Sequence, residues 1–162
     1  MADADNAAPV PTQRLAARAL LRRGDEILLA RIAGTGYGTA GTWTLPGGGV
    51  EHGEHPEDSL RREVLEETGL NVDLGRVIGV FSRRFTGLSP HGVLEDFHSV
   101  HLIFAATVTS AHEPRVVEID GTTDKVAWWP LENVLRPDFA AAQVVRYALT
   151  LPDESACIRE LM

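Results

Sequence analysis

The chain has 162 residues, a net charge of −8 and a single cysteine. That length fits one domain with one core. The acidic balance argues against nonspecific nucleic-acid binding, which calls for basic patches. A lone thiol, Cys157, excludes an internal disulfide, so a reducing cytoplasm is the expected setting. Nothing near Cys157 resembles an activating base, and it reads as inert.

Residues 1–13 are acidic and carry prolines. They lack the basic and apolar regions of a signal peptide and read as a disordered lead-in, with the domain over 14–162. Arg14 to Leu21 reads as a strand. Arg23-Gly24-Asp25 follows as a hairpin turn, and Glu26 to Ile32 as the second strand. Residues 33–42 hold four glycines and read as a loop. Trp43 to Leu45 is a short strand stopped by Pro46 and three glycines. A helix starts near Pro56, with Glu57 and Asp58 at its positive end. Gly69 ends it. Leu60 and Val64 form its apolar stripe. A strand within Val72 to Phe85 precedes a loop over Gly87 to Asp96. Phe97 to Thr109 is the longest strand candidate, and its apolar run Leu102 to Val108 is too short to span a bilayer. Ser110 to Thr123 is polar and turn-rich. Lys125 to Trp129 is a last strand, and Asp138 to Leu149 a last helix. The order predicts an α+β fold with mixed layering.

The segment from Gly47 to Leu70 carries the chemistry. Glu63, Glu66 and Glu67 are spaced i, i+3, i+4, so a helix puts them on one face. Like charges so placed repel by about 0.2–0.5 kcal/mol per pair. A hard divalent cation, which prefers oxygen ligands, would offset that. Taken alone, such a run is ordinary solvated surface. The surrounding spacing argues otherwise. From Gly48 the chain reads Gly, five residues, Glu54, seven residues, Arg62-Glu63-Val64, one residue, Glu66-Glu67, one residue, Gly69-Leu70. These nine fixed positions over 23 residues match G-x5-E-x7-R-E-U-x-E-E-x-G-U, where U is a bulky aliphatic. The chain therefore resembles the Nudix hydrolases.

The resemblance implies an α/β/α sandwich around a mixed central sheet, and a pyrophosphohydrolase that cleaves a phosphoanhydride. Its substrate would be a nucleoside diphosphate linked to another moiety: a nucleoside triphosphate, ADP-ribose or a sugar nucleotide. Magnesium would be the cofactor, with manganese able to substitute. Glu63, Glu66, Glu67 and the Gly47 carbonyl would be its ligands. Arg62 would orient a catalytic glutamate, and Glu54 would brace the loop against the helix. The base that deprotonates water would be a glutamate of the motif or an acid from a distant loop. Glu95, Asp96, Glu113, Glu118 and Asp120 are available, and Glu118 stands where such a base often originates. For substrate, Arg31 aligns with a phosphate-holding arginine of relatives. Arg83 and Phe85 share one face of an alternating strand and join a cation to a ring. Trp128 and Trp129 point oppositely, as do His98 and His101, so the two histidines cannot chelate jointly. His52 and His55 read as surface.

The proline of ADP-ribose hydrolases is absent from Phe85-Thr86-Gly87. The tyrosine of diadenosine polyphosphate hydrolases and the arrays of the NADH and coenzyme A enzymes are missing too. Rival readings are a non-catalytic nucleotide sensor, disfavoured by the intact motif, and an RNA 5′-end pyrophosphohydrolase, disfavoured by the acidic balance. An isoprenoid diphosphate isomerase is disfavoured by the isolated cysteine. No membrane partner is expected, and a homodimer is compatible with the pattern.

Overall fold

A computed structural model of the protein describes residues 7–34 and 39–154. Cys157 and residues 1–6 of the expected lead-in lie outside the described residues. In chain order the elements are β1 (Val10–Arg23), β2 (Glu26–Ile32), β3 (Trp43–Thr44), β4 (Gly47–Gly49), α1 (Pro56–Thr68), β5 (Val72–Leu88), β6 (Leu94–Val108), β7 (Thr123–Pro130), α2 (Leu131–Val134) and α3 (Gln143–Ala148). The seven strands run β3-β2-β1-β6-β5, with β4 also on β1 and β7 also on β2. β1 and β6 are parallel and their other neighbours antiparallel, so the sheet is mixed.

Alternation along β1 assigns the two faces. Ala17, Ala19 and Leu21 pack with Leu60, Val64 and Leu70 under α1. Leu20 turns the other way and joins Ile103, Trp43, Leu45, Val144 and Val145 beside α2 and α3. The result is the expected α/β/α sandwich. Trp128 sits against the first cluster and Trp129 against the second, as alternation requires. Among the described residues no helix is long and apolar enough to cross a membrane.

Several elements differ from the sequence reading, among them the short helix α2, which had no counterpart there. Val10 to Gln13, expected in the lead-in, are strand, because they continue the parallel pairing of β1 with Glu95 to His98. Pro11 is tolerated there because β4 and β2 take up β1 only from Ala16 onward, which leaves Pro11 on an edge. The strands of the β5–β6 hairpin extend to Leu88 and back from Leu94, shortening the expected loop. The last helix is confined to Gln143–Ala148. Upstream of it, the Ala140 carbonyl and the Ala142 amide are taken by Trp43 of β3, so that backbone is sheet-like. Gly47 to Gly49, expected as loop, form β4 against Ala16 to Arg18.

Candidate active site

Local sequence chemistry places α1. His55 is its N-cap, with Nδ1 accepting from the Glu57 amide at 3.2 Å, and Pro56 follows in the first turn. Gly69, at φ 68°, closes it with a 2.8 Å bond to the Leu65 carbonyl. Leu60 and Val64 are fully buried, and Glu67 follows one turn later on the same stripe, at 4% exposure. The three motif glutamates thus grade from core to surface. The Glu67 side chain is buried, Glu63 is 19% exposed and Glu66 36% exposed.

Glu67 is held on both oxygens. Oε2 accepts from the Gly47 amide at 2.9 Å, and Oε1 from the Thr123 hydroxyl at 3.1 Å. Burial pushes its carboxyl up to about 7, against the pull of the nearby Arg18 guanidinium. Glu63 is also pushed up, first by burial, with Arg62 opposing and the charges of Glu66 and Glu118 adding to the rise. The carboxylates therefore feel one another.

Arg62 is the hub of this edge. Its Nε and Nη2 each lie 3.2 Å from a Glu54 oxygen. Its Nη1 reaches Glu63 at 3.0 Å and Glu66 at 3.4 Å. Glu54 also accepts from the Glu51 amide at 3.2 Å, which ties the loop to the helix. Arg62 holds the Glu54 carboxyl below its usual range.

The glycines of β4 make room. Gly47 has φ 134°, and a Cβ there would lie 2.1 Å from the Ala17 carbonyl oxygen. A Cβ on Gly48 would lie 2.7 Å from the Glu63 carboxyl carbon, and one on Gly49 would lie 2.2 Å from Arg14 Nη2. The strand is thus a gap in the side-chain layer, with Glu63 on one side and Arg14 on the other.

A cavity of about 510 Å³ runs across this gap. Glu63, Glu67 and Glu118 line one end of it, and Arg83, Phe85 and Phe97 the other. Glu118 reaches it through a backbone strap. The amides of Val117 and Glu118 donate to the Glu66 carbonyl at 3.1 and 2.9 Å, and the Arg115 amide to the Thr68 carbonyl at 2.8 Å. These are end carbonyls of α1 that otherwise lack partners. Of the five acids considered, Glu118 and Asp120 line the cavity. Asp96 is paired with Arg84 and Glu113 with Arg23.

Arg31 is not among the cavity's lining residues. Its Nε and Nη2 engage Asp124 at 2.8 and 3.2 Å, so its charge is matched on the surface. The Gly47 carbonyl accepts from Arg18 Nη1 at 2.9 Å. Arg83 lies over Phe85, 4.7 Å from the ring centroid, while Arg84 points to the other face.

Sequence reasoning missed Arg14, Arg18 and His101. Arg18 is half-buried and also donates to the Leu45 carbonyl at 3.0 Å. Its Nε points at His101 Nδ1, 3.4 Å away, and His101 Nε2 lies 3.1 Å from the Ser99 hydroxyl. Burial, then Arg18 and Arg14, draw the His101 imidazole down to about 4, so it is neutral near pH 7. The one available signal was parity: Arg14, Arg18 and the cavity face of β1 share even numbers.

Hard oxygen donors that repel one another suit a divalent cation. Among the described residues no three His, Cys, Asp or Glu side chains converge as they stand to hold a metal. Glu63 and Glu66 are turned to Arg62 instead. Rotation about their flexible side chains would release them to a cation, and Glu67 keeps a free lone pair on each oxygen.

A family model described as NUDIX domain matches residues 12–149. Nucleoside triphosphatase NudI of Klebsiella pneumoniae is 32% identical over 132 residues, 80% of this chain and 91% of that protein. Diphosphoinositol polyphosphate phosphohydrolase 3-alpha of Mus musculus is 43% identical over 114 residues, 70% of this chain and 60% of that one. The crystal structure of a MutT NUDIX hydrolase from Burkholderia pseudomallei has a TM-score of 0.60 at 28% identity, covering 86% of this chain and 97% of its own.

Proposed function

The chain belongs to the Nudix family and is a hydrolase acting on phosphoanhydrides, and from that premise we propose that it is a divalent-metal-dependent pyrophosphohydrolase of a nucleoside diphosphate linked to another moiety. The observation that carries this is the cavity with Glu63, Glu67 and Glu118 at one end and cations with aromatic rings at the other. The first end suits a metal-bound diphosphate and the second a nucleotide's remaining parts.

Glu63, Glu66 and Glu67 would hold magnesium, with the Gly47 carbonyl as a further donor if Arg18 yields its contact. A metal bound there would neutralise phosphate charge and acidify water. Arg62, itself fixed by Glu54, holds Glu63 and Glu66 in register. Glu118 is the base: it takes the proton of the water whose oxygen bonds to phosphorus, and the anhydride P–O bond breaks toward the leaving phosphate. His101, neutral and bonded to Arg18, keeps that arginine directed at the Gly47 strand.

The test is a panel of nucleoside triphosphates, ADP-ribose and sugar nucleotides with magnesium, scored by phosphate or nucleoside monophosphate release. Turnover should vanish with chelator and return with magnesium or manganese. Full activity in a metal-free preparation overturns the reading.

A further inference from the structure

The register of three strands gives the cation end of the cavity a defined layout. Ser99 of β6 is opposite Arg14 of β1 on one side and Arg83 of β5 on the other. The three residues form one row across the sheet, and all three line the cavity. With strands about 4.8 Å apart, the two arginine Cα atoms are about 10 Å apart across the small serine. The rows on either side are bulky. Thr12, Phe97 and Phe85 make one, with the two rings 5.3 Å apart. Ala16, His101 and Phe81 make the other, with imidazole and ring 5.7 Å apart. The two arginine Cα atoms thus flank a polar dip between two aromatic rows, with the Arg14 guanidinium leaning toward Gly49 and the Arg83 guanidinium over Phe85.

Neither arginine forms an ion pair with a described residue. Arg84, next in sequence, shows the contrast: it is bonded to Asp96 at 2.7 Å on the opposite face. Arg14 and Arg83 bring two charges of one sign to one cavity wall, and Arg14, after burial and Arg18, draws the His101 imidazole down. An anion between them would relieve that. Guanidiniums bind phosphoryl oxygens through charge-assisted, directional bonds. The dip is across the β4 gap from Glu63, so an anion there is a different group from the anhydride held at the carboxylates.

We propose that Arg14 and Arg83 clamp a phosphoryl group of the substrate beyond the diphosphate held at Glu63 and Glu67. This rests on the hydrolase reading and narrows it: the substrate carries at least a third phosphoryl group. Nucleoside triphosphates and longer polyphosphates meet that requirement. ADP-ribose and nucleoside diphosphate sugars do not.

The test uses the full chain and inorganic tripolyphosphate, titrated calorimetrically in chelator so that no metal and no turnover contribute. Arg14→Ala and Arg83→Ala should each weaken binding about tenfold or more, the double variant further, and Arg14→Lys less than Arg14→Ala. Arg84→Ala should bind as the parent does. With magnesium, Arg14→Ala and Arg83→Ala should raise KM for a nucleoside triphosphate about tenfold or more, while Arg84→Ala leaves it unchanged. No binding to the parent, equal binding to all variants, or a KM for the nucleoside triphosphate that Arg14→Ala and Arg83→Ala leave unchanged each overturns the clamp. Loss of tripolyphosphate binding in a protein that hydrolyses no anhydride keeps the clamp and removes the hydrolase reading.

Discussion

Replacing Glu67 with glutamine separates what this buried carboxylate does for chemistry from what it costs the fold. The amide fits. Its oxygen can accept from the Gly47 amide, and its nitrogen can donate to Thr123, whose hydroxyl turns to accept. What is lost is the charge. Burial lifts the folded carboxyl from its ordinary value of 4.5 to about 7. At 1.36 kcal/mol per unit, ionising it in the folded protein costs about 3 kcal/mol. The sign follows from proton uptake. Between pH 4.5 and 7 the folded state holds this proton and the unfolded state has lost it, so the parent loses stability as pH rises through that window. Below the window nothing changes, and above it the loss is complete. Glu67→Gln removes the slope. In chelator the variant should match the parent at pH 4 and exceed it at pH 8 by about 3 kcal/mol, about 6–12 °C in Tm. Turnover with magnesium should fall about 10²–10⁴-fold. Urea melts at pH 4, 6 and 8 measure the first effect and steady-state kinetics the second. A variant less stable than the parent at pH 8, or an unchanged pH slope, refutes the reasoning.

Glu118→Gln should lower kcat about 10²–10⁴-fold with little change in KM, and an unaltered kcat removes Glu118 as the base. Gly121→Ala should mimic it in part, because the added Cβ would lie 2.2 Å from Glu118 Oε2 and push the carboxylate aside while the fold persists; a wild-type kcat would show that the carboxylate's place is immaterial. Gly47→Ala should destabilise by about 3 kcal/mol or more, read by urea melts, since both its φ of 134° and the Ala17 carbonyl oppose a side chain. Arg31→Ala should leave kcat and KM within about twofold of the parent, as its partner is Asp124 on the surface; a large rise in KM would return Arg31 to the substrate.

The parts legible in the sequence are those whose causes lie within a few residues. Helix α1 was readable to its ends because its first-turn proline and acids and its closing glycine are all local, although its cap, His55, was read only as surface. The placement of Arg62 between Glu54 and the glutamates was expected only through the family resemblance, and its hydrogen bonds to Glu54, Glu63 and Glu66 agree with that expectation. Glycines 47–49 were misread as loop because their strand exists only through pairing with Ala16 to Arg18. The sheet-like backbone around Ala141 depends in the same way on Trp43, about a hundred residues earlier. Arg14, Ser99 and Arg83 become neighbours only through two strand registers, which no local pattern encodes.

The strap between residues 115–118 and the end of α1 is made from backbone amides and carbonyls alone. The hydrogen bonds of that attachment are therefore independent of side-chain identity, although Val117 and Arg115 side chains lie beside Gly69. The residue at position 118 can thus be exchanged without removing the backbone bonds that present it. Reactivity and foldability are separately inherited at this position. An engineer could graft a different acid, an amide or an imidazole there and expect the scaffold to deliver it to the same place, provided the small residue at Gly121 is kept.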